Sequence, residues 1–123
     1  MRKAETRVFY KYARLGLDRK NYSSVEMARR VSGYCSSDAD AIRLLAVYDT
    51  LRVLEAEGKG ECAEAVRAVY FSSRGKGPRK NDLTLAVRRF ACTHFLDERT
   101  VWRRIDTAKS LYCSLVEEQL SCL

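Results

Sequence analysis

Proline is nearly absent from this chain and glycine is scarce: Pro78 stands alone, and six glycines are spread over 123 residues. So little punctuation leaves few of the turns that a strand-rich fold needs, and it favours helices. His94 is the sole histidine, and the five cysteines (Cys35, Cys62, Cys92, Cys113, Cys122) are odd in number, far apart and without a C-x-x-C pair. That pattern argues against a zinc site and against a disulfide framework; free thiols in a reducing compartment are the simpler reading. No apolar run approaches the roughly 18 residues of a membrane span, and the start MRKAETRVFYKYARLG has no signal-peptide core. The expectation is a cytoplasmic protein with no membrane partner.

Catalytic equipment is missing as well. There is no acid pair with a matching base, no cysteine beside a histidine in an electropositive phrase, and no phosphate-cradling loop, since Gly75-Lys76-Gly77 lacks the rest of a P-loop. No catalytic residue, metal or cofactor is assigned, and an enzyme is the weakest functional class.

What the chain does have is localised positive charge. The net charge is +7, and the 31 residues from Arg74 to Arg104 carry nine bases against three acids, a net +6. Charge gathered in one quarter of a sequence marks a surface that meets phosphates, whereas solubilising charge is spread out. Hydrophobic content of 46% with 32% charged residues places the rest among soluble globular proteins.

Periodicity predicts an all-α fold of about six helices. The first covers residues 3–15 and places Val8, Tyr12 and Leu15 at helical spacing, with Gly16 as a stop. Ser23 and Glu26 form a capping box for a second helix, whose inner face reads as Val25, Ala28 and Val31 and which ends at Gly33. Ser37 or Asp38 caps a third, ended by Gly58. It is apolar nearly all round, with Ile42, Ala46, Asp49 and Val53 on one stripe and Leu44, Val47, Tyr48, Leu51 and Leu54 on the rest. Such a helix belongs at a domain centre or a subunit interface, and Asp49 on that stripe would need a partner such as an Arg or a capped backbone amide if buried. A fourth runs from about Glu61 to Phe71 with Ala65, Val66, Val69 and Tyr70 inside, and SSRGKGPRKN follows as a loop. Residues 1–73 thus form a helical core or oligomerisation part, and 74–123 a basic linker with a helix-turn-helix module, within what is most simply one domain.

In that module Asn81 or Asp82 caps a fifth helix with Leu83, Val87, Phe90 and His94 on its inner face. Asp97 caps a long sixth, Glu98 to about Leu120, whose seam is Val101, Ile105, Ala108, Tyr112 and Leu115. His94 on an apolar face reads as a mostly buried, hydrogen-bonded imidazole without chemistry. At about 100° per residue, Arg99 and Arg103 fall opposite the seam, with Thr100, Trp102 and Arg104 on its flanks. The first two turns of a helix in the major groove reach base edges, so Arg99, Thr100 and Arg103 are the candidates for base reading. Arg79, Lys80, Arg88, Arg89 and Arg104 are candidates for phosphate, and Trp102 for stacking on a sugar or base where it is not core.

The stretch ACTHFLDERTVWRRIDTA resembles the sigma-factor region-four type of helix-turn-helix, particularly phage and prophage regulators of the RinA and ArpU kind, whose second helix often opens with S-x-R-T-V-Y-R. The likeness covers Leu83 to Tyr112, about a quarter of the chain. In the general motif a small residue is followed four positions later by a turn residue, usually Gly, and six after that by an aliphatic one. Ala91 and Val101 agree and Phe95 departs, which predicts a turn looser or one residue longer than usual. The resemblance implies sequence-specific binding of double-stranded DNA and a role in transcription regulation.

Two other functions compete. A phage packaging protein of the terminase small-subunit kind also sets a helix-turn-helix on a helical oligomerisation part. A helical protein-binding module could use the same basic face against an acidic partner such as RNA polymerase. A homodimer would match paired half-sites.

Overall fold

The protein is all-α, and the computed structural model describes residues 3–71 and 82–122, with side chains from residue 7 onward. Six α-helices succeed one another: α1 (Lys3–Arg14), α2 (Ser24–Tyr34), α3 (Asp38–Ala56), α4 (Gly60–Val66), α5 (Asp82–Thr93) and α6 (Glu98–Leu120). A π-helical turn, Arg67–Phe71, extends α4. The loop SSRGKGPRKN, with Arg79 and Lys80, lies outside the described residues.

Short polar side chains start three of the helices. Ser23 Oγ accepts from the Glu26 amide at 3.3 Å, Ser37 Oγ from the Asp40 amide at 3.2 Å, and Asp97 Oδ1 from the Arg99 amide at 3.0 Å. Each satisfies an amide that the helix itself leaves unpartnered.

Three ends share one reversal. After α1 the Gly16 amide donates to Ala13 O (2.9 Å) and the Leu17 amide to Tyr12 O (3.2 Å); after α3, Gly58 and Lys59 donate to Glu55 O (3.3 Å) and Leu54 O (2.8 Å). After α5, Phe95 donates to Cys92 O at 3.4 Å and Leu96 to Ala91 O at 2.8 Å. This is the Schellman pattern, which needs a left-handed residue at its bend. Gly16 (φ 74°) and Gly58 (φ 78°) supply it without steric penalty; Phe95 adopts φ 54° despite its Cβ. The turn is therefore not looser for lacking glycine: four residues join α5 to α6, with the aromatic residue forced into the conformation glycine would take. Gly33, by contrast, ends nothing, because α2 runs through it to Tyr34.

One hydrophobic cluster runs from Val8 to Val116. At its centre α3 packs against α1, α2, α4 and α6, and α6 also lies along α4 and α5. The α1 aromatics clamp the π-helical turn: Phe9 stacks on Tyr70 with ring centroids 5.1 Å apart, Tyr12 stacks on Phe71 at 5.4 Å, and Phe9 also meets Tyr112 of α6 at 5.1 Å. Covered by α1 on one side and α5 on another, the turn buries Val69, Tyr70 and Phe71 in succession.

Two inner-face expectations fail. Val25 is 71% exposed, and α2 instead buries Met27 and Val31. These two are four apart, on the face that α3 covers, whereas Val25 sits in the first turn on another side. Asp49 is exposed, lying with Arg52 and Ala56 on the one strip of α3 that no helix covers. The buried polar side chain on α3 is Thr50, whose hydroxyl donates to Ala46 O at 2.6 Å.

Tyr70 is 1% exposed, and its hydroxyl has no hydrogen-bond partner among the described residues. Burial above all, with Tyr10 and Asp106 nearby, pushes that phenol well above its usual range. A hydroxyl buried without a partner contributes only its desolvation penalty. Tyr70→Phe is accordingly expected to leave the midpoint of thermal unfolding unchanged or to raise it, while Phe95→Gly should stabilise the fold by about 1 kcal/mol through relief of the left-handed strain. Thermal unfolding of Tyr70→Phe and chemical denaturation of Phe95→Gly check the two outcomes.

Candidate nucleic-acid interface

The rotation of α6 about its own axis is set by what it buries. Val101, Ile105 and Ala108 are fully buried, Tyr112 nearly so, and Val116 continues the line. Arg99 and Arg103 each precede a fully buried residue by two positions, about 200° round the helix, so both must point outward. Both are exposed, and neither makes a side-chain ion pair among the described residues. Leu115, expected in the seam, is only partly buried; Val116 takes its place as the helix winds past the core.

The outward stripe of α6 changes character along its length. It begins with Arg99 and Arg103, continues with Asp106 and Ser110, and ends at Glu117, all exposed. A polyanion is thus favoured over the first two turns and repelled beyond them. The helix spans about 35 Å at 1.5 Å per residue, and the major groove is about 12 Å wide, so one end of α6 is all that a groove needs.

Around this end the other sequence candidates separate into groups. Arg88 of α5 reaches across to the first turn of α6, its Nε 3.3 Å from Glu98 Oε1, on the flank between the buried seam and Arg99. Both partners are about half exposed or more, and such pairs contribute little, so a phosphate could recruit Arg88 away from Glu98. Arg89 is exposed on a different side of α5, beside Ala68 of the π-helical turn and His94. Arg104 is partly buried on the flank facing α4, where it and Lys59 oppose the rise that burial and Glu61 impose on the Cys62 thiol. Thr100 is half-buried beside Arg99, and Trp102 packs its ring partly against the core. The structure therefore places Arg99 and Arg103 on one outward side of α6, with Thr100 next to them, and Arg88 against Glu98 at the start of the helix. It places Arg89 and Arg104 elsewhere.

His94 is not the buried imidazole expected. It lies just past the last residue of α5, half-exposed, with its ring stacked on Phe90 (centroids 4.1 Å apart), its Nδ1 3.1 Å from Phe90 O and its Nε2 3.2 Å from Glu64 Oε1. It ties the α5 terminus to α4.

The feature that sequence reasoning passed over as a mere mismatch is Phe95. Its side chain is 96% exposed at the bend between α5 and α6. A bulky residue at a position of the motif that ordinarily holds glycine was the available signal.

Elsewhere, a polar cleft of about 310 Å³ opens between the α1–α2 connection, α3 and the π-helical turn. Two of its charges pair, Arg67 with Glu55, while Arg52 donates to the Tyr48 hydroxyl and that hydroxyl donates to Tyr22 O at 2.6 Å. No group of three His, Cys, Asp or Glu side chains among the described residues could hold a metal, and no described helix is long and apolar enough to cross a membrane.

The Asp97 cap orients the whole arginine-bearing end of α6, with Glu98 adding a favourable charge against the helix dipole. Asp97→Ala should lower stability by about 1 kcal/mol, read as a drop in the thermal midpoint.

Compared with known proteins, the chain matches no family model, no curated protein and no solved structure.

Proposed function

We propose that the protein is a sequence-specific, double-stranded-DNA-binding regulator of transcription of the phage or prophage kind, in which α5 braces the duplex and the first two turns of α6 enter the major groove. The observation that carries this reading is the exposed Arg99–Arg103 pair, free of ion pairs among the described residues and held outward by the buried Val101 and Ile105. A guanidinium can donate two hydrogen bonds to the O6 and N7 of one guanine, so these two arginines and Thr100 read bases. Arg88, released from Glu98, positions the backbone on a phosphate, and Arg79 and Lys80 of the basic stretch add to that attraction. In this reading the protein is cytoplasmic, carries no catalytic group and needs no cofactor. RNA polymerase and a second copy of the chain are its further partners.

Selection of bound sites from a random duplex library tests the proposal, because it reports binding and returns the preferred sequence together. No enrichment at low salt would sink it. Oligomeric state separates the packaging alternative: a ring of many subunits favours packaging, a monomer or dimer a regulator.

Within this reading the residues have distinguishable signatures. Arg103→Ala is expected to lose about 1–3 kcal/mol on the selected site and to relax preference at one base position. Arg88→Ala should weaken every duplex alike and flatten the dependence of log K on log salt by about 0.9. Glu98→Gln removes a carboxylate from the phosphate side and should tighten binding to all duplexes. Fluorescence anisotropy titrations at several salt concentrations measure all three.

A further inference from the structure

The fold gives Phe95 no reason to be phenylalanine. Two other helices close with the same hydrogen-bonded reversal and use Gly16 and Gly58 at the bend, where φ is 74° and 78°. Phe95 adopts φ 54° and, at 96% exposure, recovers almost no packing in return. The chain therefore tolerates both backbone strain and an exposed ring at this one point.

What surrounds the ring narrows what it could meet. The Glu98–Arg88 contact brings α5 beside the first turn of α6, and Arg99 is four residues from Phe95, so their Cα atoms can be no more than about 14 Å apart. Phe95 thus stands close to the arginine-bearing start of α6, into which its immediate backbone neighbours Leu96 and Asp97 lead. Exposed guanidinium groups complement a polyanion, while an open aromatic face complements the flat face of a nucleobase. Inside an intact duplex both faces of every base are already covered by stacking. A base with an open face can take Phe95 without the unstacking that a wedge between intact base steps costs.

We infer that Phe95 stacks on a nucleobase exposed at a break in the duplex, an unpaired nucleotide adjoining the groove that α6 occupies. The preferred ligand is then not an uninterrupted helix but a duplex with an unpaired base beside the recognised site. This inference rests on the duplex-binding reading above and adds the class of nucleic-acid structure to it.

Two labelled probes test it by fluorescence anisotropy at low salt: a fully paired duplex of about two helical turns and the same duplex with one unpaired central purine. The wild-type protein should bind the interrupted duplex about tenfold more tightly, the scale of one base–aromatic stack. Phe95→Gly, which relieves the strain and so folds at least as well, should bring the ratio of the two affinities close to one, and Phe95→Trp should preserve it. Equal affinity of the wild type for both probes overturns this inference and leaves duplex binding standing, and it is the result expected were the ring to serve a protein partner instead. A ratio that survives in Phe95→Gly overturns it too, and failure of the wild type to bind either probe overturns the duplex reading along with it.

Discussion

The burial of Val101, Ile105, Ala108 and Tyr112 against α3 and α4 is the constraint on which the proposed interface depends. A helix packed along one line has no rotational freedom, because turning it by one residue would carry a whole row of apolar side chains into water at roughly 1.5–3 kcal/mol each. The outward direction of Arg99 and Arg103 is therefore a by-product of core packing. It needs no hydrogen bond of its own, and no ion pair among the described residues holds either guanidinium group. The same helix is at once a wall of the core and the candidate reading element, so the interface inherits the rigidity of the interior.

The other end of that argument is the connection into α6. Asp97 caps the helix, Arg88 meets Glu98, and the strained bend at Phe95 closes α5 with two hydrogen bonds to Cys92 and Ala91. His94 contributes from the opposite side through Glu64. Four different interactions thus position one short turn. None is strong alone, but together they define how α5 approaches the start of α6. The acids in this network also neutralise the positive end of α6, so that any attraction for phosphate comes from arginine side chains and not from the helix terminus.

Much of this was legible in the sequence. Helix starts were readable because serine and aspartate have a specific job at an amide-rich terminus, and the α6 seam was readable because its spacings of four, three and four leave one consistent face. Errors arose where local pattern and tertiary cover part company. On α2 the apolar residues Val25 and Met27 point to different sides, and only the position of α3 decides that Met27 and Val31 are inside. On α3, covered by four helices, periodicity carries little information, and Asp49 marks the uncovered strip rather than a buried charge. His94 continued an apolar register beyond the point where α5 ends. The π-helical turn left no local trace, since RAVYF is ordinary helical sequence; it accompanies the packing of Tyr70 and Phe71 against rings of α1. For the proposed interface, charge density and the α6 seam singled out Arg99 and Arg103, but where Arg88, Arg89 and Arg104 stand depended on how α4, α5 and α6 meet.

The side chains of Arg99 and Arg103 are exposed and form no ion pair among the described residues, whereas the residues two places after each are sealed inside. Exchange of such surface side chains ordinarily alters stability by no more than about 0.5 kcal/mol. Selection could therefore rewrite these two letters repeatedly on an unaltered scaffold, so that relatives with the same interior could diverge freely in what they recognise.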